Sequence, residues 1–231
     1  MDKFLTLLQF ADGLFPAGAY AHSFGLESYV QSGEISSAEG VEHFLRSYLS
    51  GSVAPTDLVA LLCAWRAGKQ GDLGACIALD ETLDAMKAAT ELREASRQMG
   101  RQTLRVANHF ADHLTDYGLL TEFGAAVAAD LSPCHHAIVF GMIGAAMAWP
   151  GPEMARAFLY SNSAALVGAA LRLLPLGQLA GQRILWNAGA LIATLAGEAQ
   201  EKNQEDMWSF SPALEIAGMR HARLEARLFR S

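Results

Sequence analysis

Cysteine is scarce in this 231-residue sequence. Cys63, Cys76 and Cys134 are isolated, odd in number and without a CxxC pair. They exclude a disulfide framework and fit a reducing cytoplasm. Charge is also thin. Charged residues make up 18%, below the usual quarter, with a net balance of −7 that argues against nucleic-acid binding. Glycine, serine, proline and charge never cluster long enough to form a linker, so residues 1–231 read as one domain. No apolar run reaches the ~20 residues needed to cross a bilayer. The longest runs are Ala137–Trp149 and Ile184–Gly197, and Asn187 interrupts the second. Lys3 is followed by a short apolar stretch that Gln9 and Asp12 break, without a convincing cleavage site, so no secretory signal is read.

Apolar residues are abundant, at 52% with a mean hydropathy of +0.18. A large core, with further apolar surface covered by other subunits, accounts for both figures. No stretch alternates long enough to require a sheet, and helical periodicity dominates. The expected architecture is all-α, with roughly ten helices. Asp2 caps a first helix to Phe10, and Asp12–Gly18 is a loop. A helix runs from about Ala21 to Gly33, and Ser37 caps the next. Pro55-Thr56-Asp57 opens another, and Asp72 begins an Ala- and Leu-rich segment.

The longest helix is expected over Thr90–Leu114, with Gly100 admitting a close neighbour. Ser132-Pro133 reads as an N-cap and first helical residue. Helices follow from Gly151-Pro152 to Leu174, where Pro175 breaks the chain, and from Gly177 to Glu198. Ala137–Trp149 and Ile184–Gly197 are expected to be the central buried helices.

Catalytic and metal motifs are weak. Gly13 and Gly18 have phosphate-loop spacing, but Ala19-Tyr20 follow where Lys and Ser or Thr are required. His109 and His113 lie one helical turn apart, a spacing that can bind metal, yet no Glu follows His109. In Cys134-His135-His136 adjacent side chains diverge by about 100° at a helix start. No Ser–His–acid set is recognisable from spacing, although such sets are assembled in space. No catalytic residue, cofactor or tight metal site is therefore assigned. A metal-dependent hydrolase using His109 and His113, and a helical module for a small apolar ligand, remain alternatives.

Two segments stand out. The run Pro16-Ala-Gly18-Ala-Tyr20-Ala-His22-Ser23-Phe24-Gly25-Leu26-Glu27 is dense in glycine and aromatics, and its one ionised group at neutral pH is Glu27. It reads as a packed corner or as a surface where Glu27 meets a partner. The last twelve residues carry four arginines and one acid, leaving thirteen basic and twenty-three acidic residues in the rest of the chain. On a helical wheel Arg220, Arg223, Arg227 and Arg230 fall within roughly 80°, with Leu224 and Leu228 beside them. The expectation is a mobile docking segment over 209–231 that orders on a partner.

The same residues carry a resemblance. The N-terminal run matches the P-x-G-x-[FY]-x-x-S-x-G-L-E signature of the urease accessory protein UreF family, through Pro16, Gly18, Ser23, Gly25 and Glu27. Arg93-Glu-Ala-Ser-Arg-Gln-Met-Gly100 is similar to its central helix. Leu171-Arg-Leu-Leu-Pro-Leu-Gly-Gln178, with Pro175 and Gly177, is similar to its proline-broken helix pair. Ala217-Gly-Met-Arg-His221 and Arg227-Leu-Phe-Arg-Ser231 are similar to its ending. Ala19 stands where a second glycine is frequent, and Leu179-Ala180 where Thr-Asp is frequent.

The resemblance implies an all-α, cytoplasmic, non-enzymatic homodimer. It implies binding to UreD (also called UreH) and to the GTPase UreG, and nickel delivery to the urease apoprotein, with no membrane or nucleic-acid partner. Glu27 and Arg172 match family positions linked to control of UreG. Arg220, His221, Arg223, Leu224, Arg227, Leu228, Phe229, Arg230 and Ser231 match the partner-binding ending. Arg230 and Arg172 are the arginines through which GTP hydrolysis could be regulated in trans.

Overall fold

A computed structural model describes residues 2–110, 118–221, 224 and 226–230. His113, Arg223 and Ser231, named above, lie outside the described residues. The fold is all-α, with no strand among the described residues. Its helices are α1 (Lys3–Ala11), α2 (Leu26–Gln31), α3 (Ala38–Tyr48), α4 (Val59–Gln70), α5 (Leu73–Met86) and α6 (Thr90–Asn108). They continue with α7 (Gly118–Ala128), α8 (His136–Ala146), α9 (Gly151–Leu173), α10 (Gln178–Glu198) and α11 (Pro212–His221).

Caps fix several starts where the sequence places them. The Asp2, Ser37 and Asp72 side chains accept from the backbone N–H of Leu5, Gly40 and Ala75, satisfying donors that a helix start leaves open. Pro152 sits in the first turn of α9, and Pro175 separates α9 from α10.

Helix α8 is the centre. It is buried along nearly its whole length, between α4 on one side and α6 on another. Gly100 of α6 faces the Cys134 carbonyl so closely that a Cβ there would overlap it. The close approach read from Gly100 is therefore present, against the backbone leading into α8. Helices α9 and α10 pack as an antiparallel pair beside this centre.

Four expectations are corrected. Pro55 does not open a helix. Residues Ala38–Gln70 form one continuous helix in which Leu49–Leu58 is π-helical. The wider turn accommodates the proline, and neighbouring backbone groups take up the displaced carbonyls. Trp208 N–H donates to the Pro55 carbonyl (3.2 Å) and Phe210 N–H to that of Gly51 (3.1 Å). This helix is long and apolar enough to cross a membrane, yet 78% of its most apolar window is buried within the protein.

Ser132 does not cap α8. Its hydroxyl donates to Asp80 (2.5 Å), Cys134 takes a positive φ of 72°, and the helix begins at His136. The helix expected from Ala21 to Gly33 is only α2, because Gly25 at φ 85° turns the chain just before it. Ile184–Gly197 is not buried all round. Ile184, Leu185, Ala188, Ile192 and Ala196 face inward while Trp186 is 86% exposed. Its outer face is made largely of small residues, which raise hydropathy without requiring burial.

Candidate functional site

The N-terminal run and the chain end, far apart in sequence, form one site. Gly25 lets α2 lie against α11. A Cβ on Gly25 would touch Ala217 and Leu214 at 3.4 Å, and its positive φ favours glycine independently. The Ser28 hydroxyl donates to the Ala217 carbonyl at 2.9 Å. Glu215 of α11 accepts from Ala89 N–H at 2.7 Å, fixing α11 to the start of α6.

Glu27 is then held inside, 1% exposed. Its carboxylate accepts four hydrogen bonds. One oxygen takes Leu228 N–H (2.7 Å) and Gln31 Nε2 (3.3 Å). The other takes His221 Nε2 (2.9 Å) and Phe229 N–H (3.1 Å). The other nitrogen of His221, Nδ1, lies 2.7 Å from Glu91, and Glu91 also pairs with Arg227 at 3.1 Å. Both ring nitrogens face carboxylate oxygens.

Two further contacts tie the chain end down. Gln31 Nε2 donates to the Ala226 carbonyl (2.8 Å) and Arg230 N–H to that of Ala21 (2.8 Å). Nearby His22 is buried, with its pKa lowered to about 4 by desolvation and then by the charges of Arg230 and His221.

Among the described residues α11 spans Pro212–His221, and residues 226–230 are bent rather than helical, so Arg227 and Arg230 do not lie on a helix with Arg220. The physical reason is competition: the Leu228 and Phe229 N–H groups donate to Glu27 instead of to carbonyls one turn earlier. Arg220 and Arg230 are exposed, Leu224 is half-buried and Leu228 is 62% exposed. Phe229 is buried, and the Arg172 guanidinium carbon lies over its ring at 4.2 Å and over the Tyr20 ring at 3.7 Å. Arg172 is thus half-buried against two aromatic rings. Pro16 is exposed, Gly18 (φ 91°) turns the chain and Ser23 is buried behind Glu27. Pro175, Gly177 and Gln178 form the exposed corner between α9 and α10.

Glu91 is a site residue that the sequence reading missed. It lies in the first turn of α6, and no motif marks it.

The structure also assembles a Ser–His–Asp set. His135 Nδ1 lies 2.9 Å from Ser96 Oγ and its Nε2 lies 2.9 Å from Asp84. Burial, then the charge of Lys87, lowers the His135 pKa. Burial raises that of Asp84, but hydrogen bonds from His135 and Arg97 outweigh it and the net shift is downward. Ser96 is in mid-helix and faces a cavity of only about 50 Å³, far short of a substrate pocket. With Asp80 accepting from Cys134 and His135 N–H, the set ties α5, α6 and the start of α8 together.

His109 is exposed at the end of α6. His136 meets the Phe140 ring edge-on and the Phe158 ring at a tilt, and burial lowers its pKa to about 4. Cys134 is buried, with its thiol pushed up to about 12 by desolvation. Residues 134–136 have separate neighbours, but not through helical divergence, because Cys134 and His135 precede the helix.

An all-α body whose N-terminal glycine-rich corner grips its own chain end defines the class, an all-helical protein. Comparison places it more closely. The family model UreF matches residues 35–189. The chain is 33% identical over 231 residues, the full length of both proteins, to the urease accessory protein UreF of Bacillus sp. (strain TB-90). It is 35% identical over 225 residues to that of Trichodesmium erythraeum (strain IMS101), covering 97% of this chain and 95% of the relative. It is 33% identical over 232 residues, again the whole of both chains, to that of Lachnoclostridium phytofermentans. The chain belongs to the UreF family.

Proposed function

We propose that the protein is a non-enzymatic scaffold of urease maturation. It acts as a cytoplasmic homodimer that binds UreD, recruits the GTPase UreG and supports nickel delivery to the urease apoprotein. Full-length membership of the UreF family carries the reading. The Glu27 cluster supports its mechanical part. Residues 209–231 serve as the docking segment, exchanging between the docked form seen here and a released form that a partner fixes. Residues 226–230 are held by hydrogen bonds to Glu27, Ala21 and Gln31, the Arg227–Glu91 ion pair and the buried Phe229 ring against Arg172. A partner offering an apolar surface to Leu224, Leu228 and Phe229 can replace them, while the arginines set orientation and association rate. Ordering costs roughly 1–2 kcal/mol of backbone entropy per residue, which the apolar contact must offset.

Exposed apolar side chains supply surface for the dimer and for UreD: Phe4, Leu5 and Leu8 on α1, and Leu179 and Trp186 on α10. Arg230 is exposed and free to reach UreG, whereas Arg172 is half-buried against two aromatic rings in the docked form. The test is co-purification with UreD, UreG and urease apoprotein. Deleting 223–231 is expected to leave the body folded and to abolish UreG recruitment and urease activation. Arg230→Ala is expected to weaken recruitment more than Lys202→Ala. A truncated protein that assembles the complex and activates urease normally overturns the docking role, and failure of the intact chain to bind any of the three overturns the scaffold reading.

A further inference from the structure

A groove of about 750 Å³ runs between α3 and the non-helical residues 207–211. Its volume is that of a built binding site, about 300–1,000 Å³. The helix lines it from Gly40 to Gly51, roughly 16 Å at the ~1.5 Å rise per residue. A trough of that length suits a segment of chain better than a compact small molecule.

One wall is aromatic. Tyr29 meets Phe44 edge-on at 5.4 Å, and Phe44 stacks on Tyr48 at 6.5 Å. The other wall carries Trp208 and Phe210, both exposed, Phe210 to 76%. The backbone of that wall is fixed. Trp208 N–H and Phe210 N–H donate to the Pro55 and Gly51 carbonyls, and the Thr56 hydroxyl donates to the Trp208 carbonyl at 2.9 Å. The groove is therefore built before an occupant arrives, which lowers the ordering cost of binding. Large apolar side chains held in solvent on a fixed backbone mark a contact surface.

Charge selects the occupant. Among the described residues lining the groove, Glu34 is the one carboxylate, and none is a lysine or arginine. The Ser32 hydroxyl donates to Glu34 at 2.8 Å, yet Glu34 makes no ion pair among the described residues. Aromatic faces attract a cation as well. Arg220 lines a smaller hollow that shares Tyr29 and Glu34 with the groove. It repels a second positive charge there, so a single cation is favoured over a basic run.

We propose that the groove docks an apolar segment of a partner protein carrying one arginine or lysine, the cation on Glu34 and the apolar side chains between Phe44 and Phe210. The site goes beyond the scaffold reading and is tested on the isolated full chain. A display library of random peptides is selected against it at neutral pH. One selected peptide is then synthesised and titrated by fluorescence anisotropy.

Selected sequences are expected to combine apolar residues with one cation. Phe210→Ala and Glu34→Lys, both at exposed positions, are each expected to weaken binding about tenfold. Glu122→Lys, the same charge change at an exposed position of α7, is expected to leave affinity unchanged. Exchanging the peptide's cation for glutamate is expected to abolish binding to the parent and restore it to Glu34→Lys. Deleting 223–231 removes no residue lining the groove and is expected to leave binding intact, so failure here is distinguishable from failure of the chain-end reading. Enrichment of acidic or wholly polar sequences, absence of saturable binding, equal affinity in Glu34→Lys and Glu122→Lys, or loss of binding on that deletion overturns the proposal.

Discussion

Glu27 and His221 are 194 positions apart in the chain and 2.9 Å apart in its interior, one 1% exposed and the other not at all. Glu27 accepts hydrogen bonds on both of its oxygens. An amide accepts on one side only, so Glu27→Gln sets its NH₂ against an N–H already there. That substitution is expected to cost about 2 kcal/mol, and Glu27→Ala about 3–5 kcal/mol, because His221 loses a buried partner. Urea unfolding reads the stability. Hydrogen exchange at the Leu228 and Phe229 amides reads the local effect and should accelerate sharply in both variants. Unchanged protection of these amides would show that Glu27 does not hold the chain end.

Acid should destabilise the protein well above the carboxylate range. His136 and His22 have folded pKa values of about 4 against an ordinary 6.5, and His135 is shifted the same way. A group whose folded pKa is depressed binds its proton more readily in the unfolded chain. Between pH 6.5 and 4 the unfolded state therefore holds more protons, and stability falls as pH falls through that window. Each such histidine contributes a slope of up to about 1.4 kcal/mol per pH unit. His136→Phe, which suits the neighbouring Phe140 and Phe158 rings, should flatten the profile by about that amount. Urea midpoints measured across the window in both proteins check it, and parallel profiles would exclude His136 as a source of acid sensitivity.

Much of the fold was legible, and the failures share a cause. Asp2, Ser37, Asp72, Pro152 and Pro175 act within one or two turns of themselves, so local spacing located the helix boundaries they set. Pro55 was misread because the Gly51 carbonyl, one turn earlier, takes Phe210 N–H, from a segment far along the chain. Ser132 was misread because Asp80 draws its hydroxyl away. Arg227 and Arg230 leave the expected arginine stripe because Glu27 captures the backbone of Leu228 and Phe229. The Glu27 run and the cationic ending were each visible as unusual segments. Their meeting, and the place of Glu91 between His221 and Arg227, depend on packing between α2, α6 and α11, which no periodicity encodes.

Two glycines inside helices should respond oppositely to alanine. Alanine is favoured over glycine in a helix interior by about 1 kcal/mol, so any loss on substitution must come from tertiary contact. Gly189 on the exposed face of α10 has nothing within 4 Å of an added Cβ, and Gly189→Ala should stabilise by about 0.5–1 kcal/mol. At Gly100 the added Cβ meets the Cys134 carbonyl and the His135 backbone, which are rigid because Asp80 holds both N–H groups. Relief requires α6 and the start of α8 to separate, breaking the Ser96–His135–Asp84 contacts with them. Gly100→Ala should therefore lose about 2 kcal/mol or more despite its better helix propensity. Urea unfolding of both variants separates the cases, and a Gly100→Ala protein as stable as the parent would mean that α6 and α8 do not approach as closely as this packing requires.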